Sequence, residues 1–179
     1  MTDHSGFFIR LALVTIFITG LMHTPLYAQT TPSTADMVEQ LKTQPPRTRS
    51  LRNLTIESAA PEGSVASKPS LSLLIQFDFN SAKVKPESQQ ALSNLAQALK
   101  SKELQDAKFA VEGHTDAKGR ADYNLKLSQQ RADAVRAFLA SNGVQDSRLT
   151  AVGKGSTELA NAADPQGAEN RRVRIVNLN

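Results

Sequence analysis

Short apolar runs alternate with amphipathic segments from Leu71 to the C-terminus, and this alternation constrains the fold more than any other feature of the sequence. Four runs rich in β-branched and aromatic residues favour strands: LSLLIQFDF, KFAVEGH, RLTAVGKG and NRRVRIVNL. Two segments repeat apolar residues at helical spacing: ESQQALSNLAQALKSKEL and the stretch from Asn124 to Ser141. The order strand, helix, strand, helix, strand, strand predicts an α+β domain (βαβαββ) over residues 71–179, with a mixed sheet and helices packed on one face.

The first residues have the layout of a secretory signal peptide. A basic residue, Arg10, precedes an apolar run from Leu11 to Met22, and Ala28 is the small residue before a cleavage site. The run is shorter than the roughly twenty residues that span a bilayer. We therefore predict a cleaved signal peptide over residues 1–28 and export of the mature chain. Retention of the run as an inner-membrane anchor is the alternative, because Leu26 makes the cleavage site imperfect.

Residues 29–70 are rich in proline, serine and threonine, which predicts a linker with little packed structure. One exception is ADMVEQLK from Ala35, whose apolar residues share a helical face and predict a turn or two of helix. The segment that follows carries Arg47, Arg49 and Arg52. It is either a solvated basic tether or a contact for anionic polymers or lipid head groups.

The composition excludes several kinds of site. The chain has no cysteine, so it has neither a disulfide nor an acylated lipoprotein cysteine, and a hydrophobic core must hold the exported domain. His4 and His23 fall in the leader, which leaves His114 alone and excludes a multi-histidine metal site within one copy. The net charge of +4 points less to nucleic acid than to anionic envelope polymers, although ordinary solubility explains it equally well.

The stretch GHTDAKGRADYNLKLSQQRADAV places an acid, Asp116, in a loop and a guanidinium, Arg131, inside the following helix. Gly119 lets the loop turn back toward that helix. From the spacing alone, two interpretations stay open. The two residues form a permanent salt bridge, or they hold a ligand that carries both an ammonium and a carboxylate. Leu127 precedes Arg131 by four residues, so the two side chains share one face of the helix.

Four blocks of the sequence occur together in one order: FDFNSAKVKPES, VEGHTDAKGRADYNLKLSQQRADAVRAFL, VGKGSTE and ENRRVRI. With these blocks, residues 71–179 resemble the peptidoglycan-binding domain at the C-terminus of outer-membrane protein A. The same domain occurs in the peptidoglycan-associated lipoprotein and in the flagellar stator protein MotB. The resemblance implies a non-catalytic domain that needs no cofactor and binds the meso-diaminopimelate of the peptidoglycan stem peptide. It also implies a place in the Gram-negative periplasm, at the cell wall and the outer membrane.

The resemblance assigns roles to individual residues. The ligand-pairing acid of the H-T-D block falls on Asp116, and the ligand-pairing arginine of the L-S-x-x-R block falls on Arg131. An aspartate accepts hydrogen bonds from an ammonium, and the planar fork of arginine binds a carboxylate through two nitrogen atoms. Further residues expected at the same cleft are Asn124, Asp78, Thr115 and Leu127.

Three neighbouring features suggest other functions, and for each we prefer a structural role. His114 lies beside Asp116, but without a second histidine or a cysteine it is expected to strap the loop or to hydrogen-bond at the end of its strand. Gly153 and Gly155 lack the remaining residues of a phosphate loop, so we interpret them as a turn. The last strand opens with three polar residues that we expect to hold the fold first and to contact the wall second: Asn170, Arg171 and Arg172.

Three functions compete. The first is a binding module that anchors the outer membrane or an envelope complex to peptidoglycan through Asp116 and Arg131. The second is a scaffold component of an envelope secretion or motor complex, which docks an outer-membrane or envelope protein through residues 35–55. The third is a wall hydrolase built on His114, Asp116 and Asp78. We place it last because the chain lacks a metal ligand set and a nucleophile–base pair.

Overall fold

Residues 31–42 and 68–179 are described by the structure, which is a computed structural model of the chain. The predicted signal peptide over residues 1–28 lies outside these ranges, as do Arg47, Arg49 and Arg52 of the predicted basic segment. Both remain predictions. Within the described ranges, no helix combines the length and the apolar character needed to cross a membrane.

The described part of the chain forms strands and helices in the predicted mixed order. The strands are β1 (Ser70–Leu73), β2 (Phe109–His114), β3 (Leu149–Gly155) and β4 (Val173–Asn177). The α-helices are α1 (Thr34–Leu41), α2 (Pro86–Leu99) and α3 (Ala121–Ser141), and short 3₁₀ turns span Asp146–Arg148 and Ala168–Asn170. The predicted α+β fold with its βαβαββ order is therefore confirmed, and α1 precedes it.

The sheet has the strand order β1-β4-β2-β3. β2 and β3 are parallel, with α3 between them in the chain, whereas β4 runs antiparallel to both β1 and β2. In the β2–β4 register, Val111 lies opposite Ile175 and Gly113 lies opposite Val173. Because these strands are antiparallel, the residues that follow β2 lie beside the residues that precede β4. This arrangement brings the loop that contains Asp116 next to Arg171.

One hydrophobic core joins the sheet to the helices. Phe109, Val111 and Ile175 contribute to it from the strands and are fully buried. The helices contribute apolar residues at helical spacing: Leu92, Leu95, Leu99, Val135 and Leu139. Burial of a side chain of this size stabilises the fold by about 1.5–3 kcal/mol. A core of this kind can hold the domain without a disulfide.

A buried arginine ties three backbone segments to this core. Arg148 donates hydrogen bonds to the carbonyl oxygens of Ala107 (2.9 Å), Leu99 (2.9 Å) and Leu104 (2.6 Å). Its guanidinium lies 5.6 Å from the centre of the Phe109 ring, within the range of a cation–π contact. Burial lowers the pKa of Arg148 below its usual range. No local pattern marks this residue, because its three acceptors are backbone atoms of distant segments.

The first strand is shorter than the sequence predicts. The apolar run continues to Phe79, but β1 ends at Leu73. Leu73 pairs with Val173, which is the first residue of β4, so β4 offers no partner to the residues that follow Leu73. These residues instead form a loop that is closed by an antiparallel bridge between Phe77 and Val84.

Gly153 and Gly155 lie in strand β3, so the interpretation of these residues as a turn is wrong. A Cβ atom on Gly153 would lie 2.5 Å from the backbone nitrogen of Gln129 in α3, which is too close for real atoms. α3 also bonds to the strand directly. Gln129 Oε1 accepts from Gly153 N (2.7 Å), and Ser128 Oγ accepts from Gly155 N (2.8 Å). Glycine therefore allows α3 to approach β3 closely.

Helix α1 packs on the domain, although the sequence places it within a linker of little packed structure. Met37 and Leu41 are fully buried in the core. The Asn177 side chain donates to the Leu41 carbonyl (2.9 Å), and the Ser33 hydroxyl caps the first turn. An isolated helix of this length is marginal in water, so packing is what stabilises α1. The short helix predicted within the linker is therefore present at residues 34–41, and it packs on the core.

Candidate functional site

Asp116 lies in the loop between β2 and α3 and faces the start of β4. Gly119 has a φ of +90°, a left-handed conformation that lets this loop turn back into α3. Asp116 Oδ1 accepts from the Lys118 backbone nitrogen (3.2 Å), and Oδ2 accepts from Arg171 Nη1 (2.8 Å). The Asp116 side chain is 14 % exposed, so the carboxylate is largely enclosed and still touches solvent.

Arg131 lies on α3, and its side chain reaches the loop between β1 and α2. Its Nε atom donates to the Ser81 carbonyl (3.1 Å), and its guanidinium lies 4.8 Å from the centre of the Phe77 ring. Among the residues that the structure describes, none hydrogen-bonds to the two terminal Nη atoms of Arg131. These two donors are therefore available to a carboxylate, while Nε and the ring fix the direction of the side chain.

Asp116 pairs with Arg171 and not with Arg131 within the described part of the chain. The permanent salt bridge between Asp116 and Arg131 is therefore not formed. Burial is the main cause that lowers the pKa of Arg131, and the nearby charge of Arg171 lowers it further, whereas Tyr123 and Asp116 raise it. Asp116, Arg131 and Arg171 thus act on one another electrostatically, although only one pair among them is in contact.

Asn124 and Thr115 shape the loop that carries Asp116. Asn124 is buried, and its Nδ2 atom donates to the carbonyl oxygens of Asp116 (3.3 Å) and Lys118 (3.0 Å). The Thr115 backbone nitrogen donates to the Gly155 carbonyl (2.8 Å). The Thr115 hydroxyl is buried and has no hydrogen-bond partner among the described residues. The Nδ2 atom of Asn124 therefore holds the loop in place and is not a free donor for a ligand.

Asp78 and Leu127 lie on the Arg131 side of the site. Asp78 belongs to the loop that Arg131 reaches through Ser81, and its carboxylate is 4.0 Å from Lys83 Nζ. Its backbone nitrogen donates to the Lys83 carbonyl (2.9 Å), which helps to close the loop. Leu127 is buried on α3, one turn before Arg131. The structure thus places Asp78 in the loop that Arg131 contacts and Leu127 on the helix that carries Arg131.

Helix α3 holds the Asp78 loop at a second point. The Tyr123 hydroxyl donates to Asn80 Oδ1 in a short hydrogen bond. Asn80 has a φ of 53°, a left-handed conformation that asparagine adopts more readily than most residues. Phe79, beside it at the tip of the loop, is 99 % exposed. Tyr123 and Arg131, both on α3, therefore hold this loop in place next to the Arg131 guanidinium.

Arg171, which the sequence assigned to the fold first and to contact with the wall second, lies beside Asp116. Asn170 and Arg172 do serve the fold, because Asn170 is fully buried and Arg172 donates to the Glu158 carbonyl (3.1 Å). The Arg171 side chain is 47 % exposed and donates to Asp116. The pairing of β2 with β4 creates this contact. The one signal in the sequence is the position of Arg171 at the start of the last strand.

His114 is buried and does not contact the carboxylate of Asp116 within the described structure. Its backbone nitrogen donates to the Arg172 carbonyl (3.0 Å), whereas neither ring nitrogen has a hydrogen-bond partner among the described residues. Burial is the main cause that lowers the pKa of His114 to about 4, and Arg172 adds to the shift. The ring is therefore neutral at pH 7. Over the same residues, no group of three or more His, Cys, Asp or Glu side chains could hold a metal ion.

Known proteins resemble this chain in sequence and in fold. The model of the OmpA family matches residues 76–173. Outer membrane porin F of Pseudomonas fluorescens is 42 % identical over 61 % of this chain and 33 % of its own length. The peptidoglycan-associated lipoprotein of Pseudomonas aeruginosa is 34 % identical over 66 % of this chain and 71 % of its own length.

A solved structure has the same architecture. The peptidoglycan-associated lipoprotein from Burkholderia pseudomallei superimposes with a TM-score of 0.50 at 36 % identity, over 59 % of this chain and 88 % of that one. The chain spans about a third of the length of the porins that it matches. The segment matched by the family model contains Asp78, Asp116, Arg131 and Arg171.

Proposed function

The chain belongs to the OmpA family, and on this premise we propose that it binds peptidoglycan without catalysis, through the meso-diaminopimelate of the stem peptide. The names of its relatives, an outer membrane porin and a peptidoglycan-associated lipoprotein, support a location in the Gram-negative envelope. The domain works in the periplasm, where it anchors the outer membrane or an envelope complex to the cell wall.

The two open Nη donors of Arg131 are the observation that carries this proposal. In a stem peptide, diaminopimelate keeps one centre that bears a free ammonium and a free carboxylate. The guanidinium binds the carboxylate through two parallel hydrogen bonds, and the carboxylate of Asp116 accepts from the ammonium. Because Ser81 and Phe77 already hold Arg131, little side-chain entropy is lost when the ligand binds.

The expected affinity of one site is modest. A charge-assisted hydrogen bond contributes about 1.5–3 kcal/mol net, and the cost of association takes up part of the sum. A dissociation constant in the roughly micromolar to millimolar range follows. Peptidoglycan offers many stems side by side, so several copies held in one complex bind the polymer far more tightly than one copy does.

Among the residues that the structure describes, the site has no arrangement that acts on a covalent bond. General acid–base catalysis needs a proton donor or acceptor within hydrogen-bond reach of the reacting group. Asp116 already accepts from Lys118 and Arg171, and the His114 ring is buried away from that carboxylate. The hydrolase hypothesis required His114 and Asp116 to act together. We therefore propose recognition alone.

A scaffold role through residues 35–55 is the second candidate, and the structure limits how it can work. Only residues 35–42 of this range are described. Their apolar side chains Met37 and Leu41 are buried in the domain core, so they are not free to hold a partner. Within residues 35–42, a partner has to use the exposed side of α1, where Glu39 and Gln40 lie, or displace the helix from the core.

Co-sedimentation with purified sacculi tests the proposed function. Wild-type protein is expected in the pellet and the Arg131→Ala variant in the supernatant, because alanine removes the donors for the carboxylate. Arg136→Ala is a matched control, since Arg136 lies on the same helix and pairs with Asp146 at the surface. Pelleting of all three proteins would mean that binding is diffuse and would refute the site. Release of muropeptides by the wild type would refute the absence of catalysis.

A further inference from the structure

Three charged groups meet at the site, and two of them are cations. Arg171 Nη1 lies 2.8 Å from Asp116 Oδ2, and the charge of Arg171 contributes to the lowered pKa of Arg131. The carboxylate of Asp78, in the loop that Arg131 contacts, lies 4.0 Å from Lys83 Nζ. The site therefore carries an excess of one positive charge before a ligand arrives.

A ligand ammonium competes with Arg171 for the carboxylate of Asp116. One oxygen of that carboxylate accepts from Lys118, and the other accepts from Arg171. When the ammonium binds at the second oxygen, the two cations share one acceptor and the pair with Arg171 is weakened. The Arg171 side chain is 47 % exposed, so its guanidinium has solvent to move into. A guanidinium so released pairs best with another carboxylate.

We propose that Arg171 binds a second carboxylate of the ligand and thereby selects stem peptides that end at diaminopimelate. This inference rests on the proposed function. In such a stem the other centre of diaminopimelate keeps its own free carboxylate, three methylene groups from the centre that bears the ammonium. The ligand then carries one ammonium and two carboxylates. The site offers a matching set, the carboxylate of Asp116 and the guanidiniums of Arg131 and Arg171.

In longer stems, Arg171 does not have a diaminopimelate carboxylate to bind. When D-alanine follows diaminopimelate, the second carboxylate is part of an amide bond and carries no charge. The charge moves to the terminal carboxylate of D-alanine, one residue farther from the ammonium, so Arg171 no longer meets a carboxylate at the diaminopimelate centre itself. Both stem lengths keep the carboxylate of D-glutamate, so that group cannot cause a difference between them.

Titration calorimetry with two synthetic stem peptides tests this role. The tripeptide L-Ala-γ-D-Glu-meso-diaminopimelate and the tetrapeptide with one further D-Ala are each titrated into wild type, Arg171→Gln and Arg136→Gln. Glutamine keeps a polar side chain without the charge, and Arg136 provides an exposed arginine of the same domain that pairs elsewhere. Thermal unfolding of each variant verifies that the fold is intact.

Wild type is expected to bind the tripeptide roughly 10- to 100-fold more tightly than the tetrapeptide, the effect of one charge-assisted pair. In Arg171→Gln the tripeptide loses this advantage, while the tetrapeptide binds as before or more tightly because Asp116 is free. Arg136→Gln behaves like wild type. Equal wild-type affinities, or equal weakening of both peptides by Arg171→Gln, would overturn the role of Arg171 and leave the proposed function standing. Absence of binding of either peptide to wild type would overturn both.

Discussion

Arg171, two residues before β4, holds the carboxylate of Asp116, two residues after β2, at an Nη1–Oδ2 distance of 2.8 Å. The antiparallel register of the two strands extends past their ends, where the His114 nitrogen donates to the Arg172 carbonyl. The sheet therefore supplies Asp116 with a cation of its own. As a result, Arg131 has no ion pair within the described structure and keeps its terminal donors open.

Replacement of Asp116 by asparagine removes the charge that accepts the ligand ammonium. The amide oxygen can still accept from the Lys118 nitrogen, so the loop is expected to keep its conformation. Affinity for a stem peptide is expected to fall roughly tenfold or more, in line with loss of one charge-assisted hydrogen bond. Titration calorimetry measures this loss. An Asp116→Asn variant that binds like wild type would show that the carboxylate does not contact the ammonium.

Replacement of the buried Arg148 is expected to lower the free energy of unfolding. An Arg148→Met change leaves the carbonyl oxygens of Ala107, Leu99 and Leu104 without their donor. We expect a loss of about 3 kcal/mol in the free energy of unfolding, since buried acceptors without partners are costly. Urea unfolding measures the change. Arg120→Met is the control, because that guanidinium is exposed and, among the described residues, bonds only to Asp122. Equal effects of the two changes would contradict this role for Arg148.

Helix α1 is expected to behave as part of the folded domain. Truncation of Leu41, which is fully buried, to alanine should lower the free energy of unfolding by about 2–4 kcal/mol. Gln40→Ala, at an exposed position of the same helix, should change it by less than about 0.5 kcal/mol. Chemical denaturation of both variants provides the comparison. If Leu41→Ala were as stable as wild type, α1 would not be packed on the core.

The neutral, buried ring of His114 should make stability depend on pH. The folded-state pKa of His114 is about 4, below the 6.5 of an ordinary histidine, mainly because of burial and then Arg172. Between these values the unfolded chain binds more protons than the folded one, so stability falls as pH falls from about 6.5 to about 4. The contribution reaches about 3 kcal/mol at the lower end.

A His114→Gln variant isolates this contribution. Glutamine stays neutral, so the difference in stability between pH 7 and pH 4 should be smaller in the variant than in wild type. Charged groups near the ring that are present in both proteins include Glu112, Glu158 and Arg174. Denaturant unfolding at a series of pH values gives the two curves. Parallel curves for the two proteins would show that His114 is charged, or exposed, in the folded state.

The elements of the domain could be predicted from the sequence because their patterns are local. Apolar runs and helical spacing gave the order of strands and helices, and the motifs gave Asp116 and Arg131. The end of β1 could not be predicted, because it depends on where β4 begins, at Val173. The packing of α1 could not be predicted either, because its stability comes from contacts of Met37 and Leu41 with distant residues.

The contacts inside the site were the least predictable part. Spacing along the chain suggested a pair of Asp116 with Arg131, which are close in sequence. The actual partner of Asp116 is Arg171, which precedes β4 and is distant in sequence. Likewise, Asn124 was expected at the ligand, but its amide bonds to the backbone of the loop. These relationships follow from the pairing of β2 with β4 and from the path of one loop, and neither leaves a periodic pattern in the sequence.

Titration of wild type and Arg131→Lys with the tripeptide L-Ala-γ-D-Glu-meso-diaminopimelate tests the central claim most directly. Lysine keeps the positive charge but cannot form two parallel hydrogen bonds to one carboxylate. We expect saturable binding to wild type and a loss of at least roughly tenfold in affinity for the lysine variant. Equal affinities of the two proteins, or no binding to wild type, would contradict the claim that the open guanidinium of Arg131 recognises the stem peptide.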